Sequence, residues 1–102
     1  MQHKWRIKPA SVNVGGNKYT TVQSKGLWIT NGLIGESNHV SNTISVDSAL
    51  CDDRKSQVFC HELAHAIDNA FSNNVASEEV INGFAEGLWQ VLQQWGIEFD
   101  WD

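Results

Sequence analysis

The sequence predicts one small α+β domain, with a β-rich first half and two helices in the second. Three observations carry this. Turn signals and short β-prone runs alternate through Val46. No Pro or Gly interrupts residues 52–71. Apolar residues then recur at helical spacing from Val80 to Trp95.

The elements follow in order. Gly15-Gly16-Asn17-Lys18 marks a turn, and Tyr19-Thr20-Thr21-Val22 after it is β-prone. Leu27-Trp28-Ile29-Thr30 reads as a further strand, closed by the turn pair Asn31-Gly32. Leu33-Ile34-Gly35 starts a short strand, and the polar run from Ser37 to Asn42 reads as a loop. Thr43-Ile44-Ser45-Val46 alternates polar and apolar, as a half-buried strand does. Asp52 and Asp53 suit the cap and the positive end of a helix that continues to about Phe71. Ser72-Asn73-Asn74 is a loop. Ser77 is the expected N-cap of a second helix, and Gly96 its end. Periodicity assigns no structure to Gly96–Asp102. With no repeat, low-complexity run or linker, residues 1–102 read as a single domain.

Composition narrows the function classes. Hydrophobic residues make up 41%, charged residues 19%, and five tryptophans are present, which is a folded composition. No apolar run approaches the length of a membrane span. The start, Met1-Gln2-His3-Lys4-Trp5-Arg6, lacks the apolar stretch of a secretory signal, so a cytoplasmic protein is expected. The net charge is −5 and the seven Lys and Arg are scattered, which argues against a nucleic-acid partner. Cys51 and Cys60 read as half-buried free thiols in a reducing compartment.

The chemistry concentrates at His61-Glu62-Leu63-Ala64-His65. Two histidines four apart on a helix share one face and can bind one zinc ion. Glu62 sits about 100° round the helix, placed to act on a water beside the metal as general base. The apolar neighbours Val58, Phe59, Leu63, Ala64, Ala66 and Ile67 bury this helix, and buried imidazoles need partners. A catalytic zinc site needs a third protein ligand. A His or Asp six residues after His65 would be one solution, but Phe71 stands there. His3 and His39 read as ordinary surface or core histidines. Asp68 suits a bond that orients His65 or a contact with the N-terminal region. In the second helix the stripe Ile81, Phe84, Leu88, Val91, Leu92 and Trp95 centres about 270° from Glu78. Glu78 lies on the edge of that stripe, whereas Glu79 points away. Glu78 is therefore the expected third ligand, with Glu79 and Asp68 as alternatives and Asn82 as an amide able to orient it.

The run from His61 to Ala66, followed by Glu78-Glu79-Val80-Ile81-Asn82-Gly83-Phe84-Ala85, resembles the zincin-like metallopeptidases. Within these the chain is most similar to the minimal gluzincin type, including small bacterial and phage-encoded domains related to the ImmA/IrrE peptidases. The likeness spans roughly residues 27–95 and includes the strand-like Asn42–Asp47 just before the first helix. It implies a twisted sheet ahead of the HExxH helix, and an edge strand that pairs with an extended peptide substrate. It also implies zinc held by His61, His65 and Glu78, with Glu62 as catalytic base. The compartment would be the host-cell cytoplasm if the protein is phage-encoded. No Tyr, His or Arg follows Glu78, and Tyr19, the sole tyrosine, precedes the motif, so no oxyanion partner is assigned. Two alternatives to a general peptidase stand beside it. One is a zinc-containing module that binds a protein through its sheet edge or through Trp89, Trp95 and Trp101. The other is a regulator that cleaves one target with a partner's help.

Overall fold

The computed structural model describes residues 5–26 and 34–102. His3, the strand expected at Leu27–Thr30, the Asn31-Gly32 turn and Leu33 lie outside the described residues. The chain forms β1 (Trp5–Ile7), β2 (Ser11–Val14), β3 (Asn17–Ser24), β4 (Gly35–Asn38), β5 (Thr43–Asp47), α1 (Asp52–Ser72), α2 (Glu78–Gln94) and β6 (Ile97–Phe99). This is an α+β fold of a small sheet and two helices.

The main sheet has the order β2-β3-β5-β4. β2 and β3 form an antiparallel hairpin through Gly15 and Gly16, both at positive φ, as a tight two-residue hairpin turn demands. β5 lies parallel to β3 and antiparallel to β4. The alternation in β5 is explicit: Ile44 and Val46 are fully buried, while Thr43 and Ser45 are half-buried. Each such buried aliphatic side chain contributes about 1.5–3 kcal/mol relative to exposure. β2 and β4 are the outer strands among the described residues.

α1 lies against the sheet. Val58, Phe59 and Ala66 pack with Val14, Tyr19, Ile44 and Val46. A second cluster, Cys60, Ala64, Ile81, Ala85 and Trp89, fills the space between the helices. β6 joins the two. It pairs in parallel with β1, and Phe99 packs against both clusters. Phe99 stacks on Trp89 (5.6 Å between ring centroids) and meets Phe59 edge-on (5.1 Å). Trp101 closes the core beyond it. Its indole Nε1 donates to Ser56 Oγ (3.0 Å) and its carbonyl accepts from Gln23 Nε2 (2.9 Å).

Several expectations need correction. Ser37 and Asn38 belong to strand β4, not to a loop, because they pair with Ile44 and Thr43 of β5. Asn38 also ends the strand, since its side chain accepts from the backbone of Val40 and Ser41. The N-cap of α1 is Cys51, and Asp52 and Asp53 occupy the first turn. Ser77 does cap α2, accepting from the Val80 N–H at 3.2 Å. The buried face of α2 is Ile81, Ala85 and Trp89, with Leu92 half-buried. Its centre is rotated by about 60° toward Glu78 from the expected stripe. Val80, Phe84, Val91 and Trp95 face solvent instead. The physical reason is that close approach to α1 favours small residues such as Ala85, which a count of bulky side chains overlooks. No helix among the described residues is long and apolar enough to cross a membrane.

Cys51 and Cys60 are both free thiols. Cys51 is exposed. Cys60 is fully buried, not half-buried, and burial pushes its thiol up to about 11, so it stays protonated at neutral pH. One thiol per folded chain should therefore react with a small alkylating reagent at pH 7.5, and the second only after denaturation. Peptide mapping that finds Cys60 modified in the folded protein would contradict this packing.

Candidate metal centre

α1 places His61 and His65 one turn apart on the face that meets α2. α2 begins beside them, because Ser77 caps it at the residue before Glu78. Asp68 ties down the loop between the helices. Its carboxylate lies 3.3–3.4 Å from the Ala76 N–H, and its carbonyl accepts from Asn73 and Asn74. Asp68 thus anchors the start of α2 rather than bonding His65.

Three side chains converge. His61 Nε2 lies 2.6 Å from Glu78 Oε1, and His65 Nε2 lies 3.1 Å from Glu78 Oε2. The two Nε2 atoms are 3.2 Å apart. Ligand atoms about 2.0–2.1 Å from a tetrahedral ion stand about 3.3 Å from one another. The three donors therefore fit a single ion with small adjustments, and His61, His65 and Glu78 are the cluster among the described residues able to hold one. Both histidines are half-buried. Glu78 is 69% exposed, which leaves its carboxylate free to follow an ion. Glu79 does not join the group.

Glu62 stands beside the cluster, between α1 and β4. Ser37 Oγ lies 2.6 Å from its carbonyl oxygen and 3.1 Å from its Oε1. Gly35 makes this approach possible: a Cβ there would collide with Val58 and press on the Glu62 side chain. Burial raises the pKa of the Glu62 carboxyl above its ordinary value. The neighbouring imidazoles of His61 and His65 and the Ser37 hydroxyl pull it partly back, and the Glu78 charge adds a smaller upward push. A carboxylate so placed is a stronger base than one in water.

These residues open onto a cleft of about 540 Å³ between α1, α2 and β4, within the range of peptide and ligand sites. His61, Glu62 and Glu78 line one part of it, and Asn82 and Trp89 continue along α2. Arg54 and Gln57 line the α1 wall. Sequence reading missed Gly35, Ser37, Arg54 and Gln57. The last two carried a signal, since they precede His61 by seven and four residues on the same helix face. Gly35 and Ser37 carried none, because their role depends on β4 crossing α1. His39 is held by Tyr19, whose Oη is 2.9 Å from its Nδ1, and neither belongs to the cluster. No family model, curated protein or solved structure matches the chain.

Two predictions follow from this geometry. Gly35→Ala should destabilise the protein by about 1–3 kcal/mol, through overpacking against Val58 and Glu62. A thermal melt unchanged from wild type would refute the tight contact. For Glu62 the folded-state pKa is raised, so its burial is tolerated at low pH and costs stability as pH rises and the carboxyl ionises. After chelator treatment, Glu62→Gln should gain melting temperature on wild type between pH 4 and pH 7. A difference that does not change with pH would show that Glu62 is not desolvated.

Proposed function

We propose that the protein is a zinc-dependent metallopeptidase, with His61, His65 and Glu78 as metal ligands and Glu62 as general base. The single observation that carries this reading is the convergence of two imidazoles and one carboxylate beside a half-buried glutamate, at the wall of an open cleft. Two nitrogens and one oxygen form a donor set suited to zinc, and three protein ligands rather than four are typical of catalytic sites. Bound zinc supplies Lewis acidity, which polarises a carbonyl and acidifies water. Glu62 removes a proton from the attacking water as the new C–O bond forms. It then hands that proton to the amide nitrogen as the C–N bond breaks. Ser37 orients Glu62 for both transfers. Among the described residues β4 is an outer strand beside the cleft, which supports an extended peptide as substrate. The likeness to the minimal gluzincins supports the same assignment, and the net charge of −5 with scattered Lys and Arg argues against a nucleic-acid partner.

One observation favours a second reading, a zinc-containing protein-binding or regulatory module. Val80, Phe84, Val91 and Trp95 form an exposed apolar face on α2, where a partner protein could dock. Such a module would hold zinc but leave generic peptides uncut.

The purified protein should bind one zinc per chain, by elemental analysis after dialysis. His65→Ala should lose the metal and melt at lower temperature than the zinc-loaded wild type. Glu78→Gln should weaken zinc binding, while Glu79→Gln leaves it unchanged. Full zinc content in His65→Ala would end the ligand assignment. Glu62→Gln should keep zinc while peptide hydrolysis falls by about 10²–10⁴-fold. Undiminished turnover in that variant would remove Glu62 as the base.

A further inference from the structure

The cleft has a second charged end. Arg54 precedes His61 by seven residues in α1, so it shares the helix face and lies about 10 Å away along the axis. Gln57 holds it on the wall. The Gln57 amide oxygen accepts from Arg54 Nη1 at 3.0 Å, and its Nε2 donates to Asp53 Oδ2 at 3.0 Å. The amide is thus turned with its oxygen toward the guanidinium. That bond uses one of five guanidinium N–H donors. No carboxylate of the described residues lies within ion-pair distance of Arg54. The residue also stands in the first turn of α1, where the positive end of the helix disfavours a cation. Helix stability therefore does not account for it. Glu86 lies on the opposite wall, so an anion would be attracted here only by direct contact with Arg54.

β4 sets a direction along the cleft. Gly35 lies over Val58, and Ser37 over Glu62, so the strand runs from the Arg54 end toward the metal end. A peptide added antiparallel to β4 would run the opposite way, from the metal toward Arg54. At about 3.3 Å per residue, about 10 Å corresponds to about three residues.

We propose that Arg54 seats a substrate carboxylate, on the C-terminal side of the bond to be cut and about three residues from it. The substrate class is then a peptide with an acidic side chain or a free C-terminus at that place. Both sources present the same planar carboxylate to the guanidinium fork. The inference rests on the peptidase reading of the metal site.

The test titrates short peptide hydroxamates into the zinc-loaded full chain by calorimetry. The hydroxamate engages the metal, and three residues follow it. Four versions differ only at the far end: a free C-terminal carboxylate, its amide, and amides with Glu or Gln as third residue. One or both carboxylate versions should bind at least about tenfold more tightly than their neutral counterparts. The version that gains identifies the source. In Arg54→Gln the gain should fall below twofold, with neutral-probe affinity unchanged. Arg54→Lys should keep part of it. Equal affinity of acidic and neutral probes for the wild type, or a preference that survives in Arg54→Gln, overturns the role of Arg54 alone. Failure to load zinc, or of every probe to bind, overturns the metal reading and this inference with it.

Discussion

The close approach of α1 and α2 is the constraint on which the candidate site depends. His61 and His65 are set by one helix and Glu78 by another, and their donor atoms meet only because the helix axes come near each other. Small side chains allow that approach. Cys60 and Ala64 on α1 face Ile81 and Ala85 on α2, and Trp89 fills the space where the pair opens. A bulkier residue at Ala64 or Ala85 would push the helices apart and move Glu78 away from the two histidines. Asp68 adds a second restraint, since its carboxylate and its carbonyl both hold the turn that aims α2 back along α1.

The sheet supports the same site from the other side. β4 brings Gly35 and Ser37 over α1, and the missing side chain of Gly35 lets the strand come close enough for Ser37 to reach Glu62. This contact has an energetic consequence. Glu62 is half-buried, and its charged form is disfavoured there. Such a placement lowers stability where the carboxyl is ionised, and it raises the basicity of the carboxylate. Conflict of that kind between local stability and local chemistry is common at functional positions.

β6 and the residues after it lock the assembly. Phe99 lies between the sheet core and the helix–helix core, in contact with Phe59, Trp89 and Trp101. Pairing with β1 fixes the strand, and the Trp101 hydrogen bonds to Ser56 and from Gln23 fix the segment beyond it. Gln23 also accepts from the buried Lys55 at 2.7 Å, so one amide serves both the C-terminal segment and α1. The two ends of the described chain thus brace the helices that carry His61, His65 and Glu78.

By itself the sequence determined the α+β class, both helices to within a residue or two, strand β5, and the pairing of His61 with His65. Each of these is a local property. Helical period, a capping serine and polar–apolar alternation act over a few residues and are legible in order along the chain. It also set Glu78 rather than Glu79 toward the histidines, through a phase argument whose stripe lies about 60° from the observed buried face. Tertiary structure decided the rest. A strand start was legible at Gly35, but its continuation through Ser37 and Asn38 was not, because a polar strand owes its form to β5 beside it. Phe84 and Trp95 look like core residues until close helix packing selects Ala85 instead. β6, Phe99 and Trp101 have no period to announce them, and apart from the Phe99–Trp89 stack their burial depends on partners about forty residues away or more. The roles of Gly35, Ser37 and Arg54 rest on one element crossing another, a relation that exists only once the chain has folded.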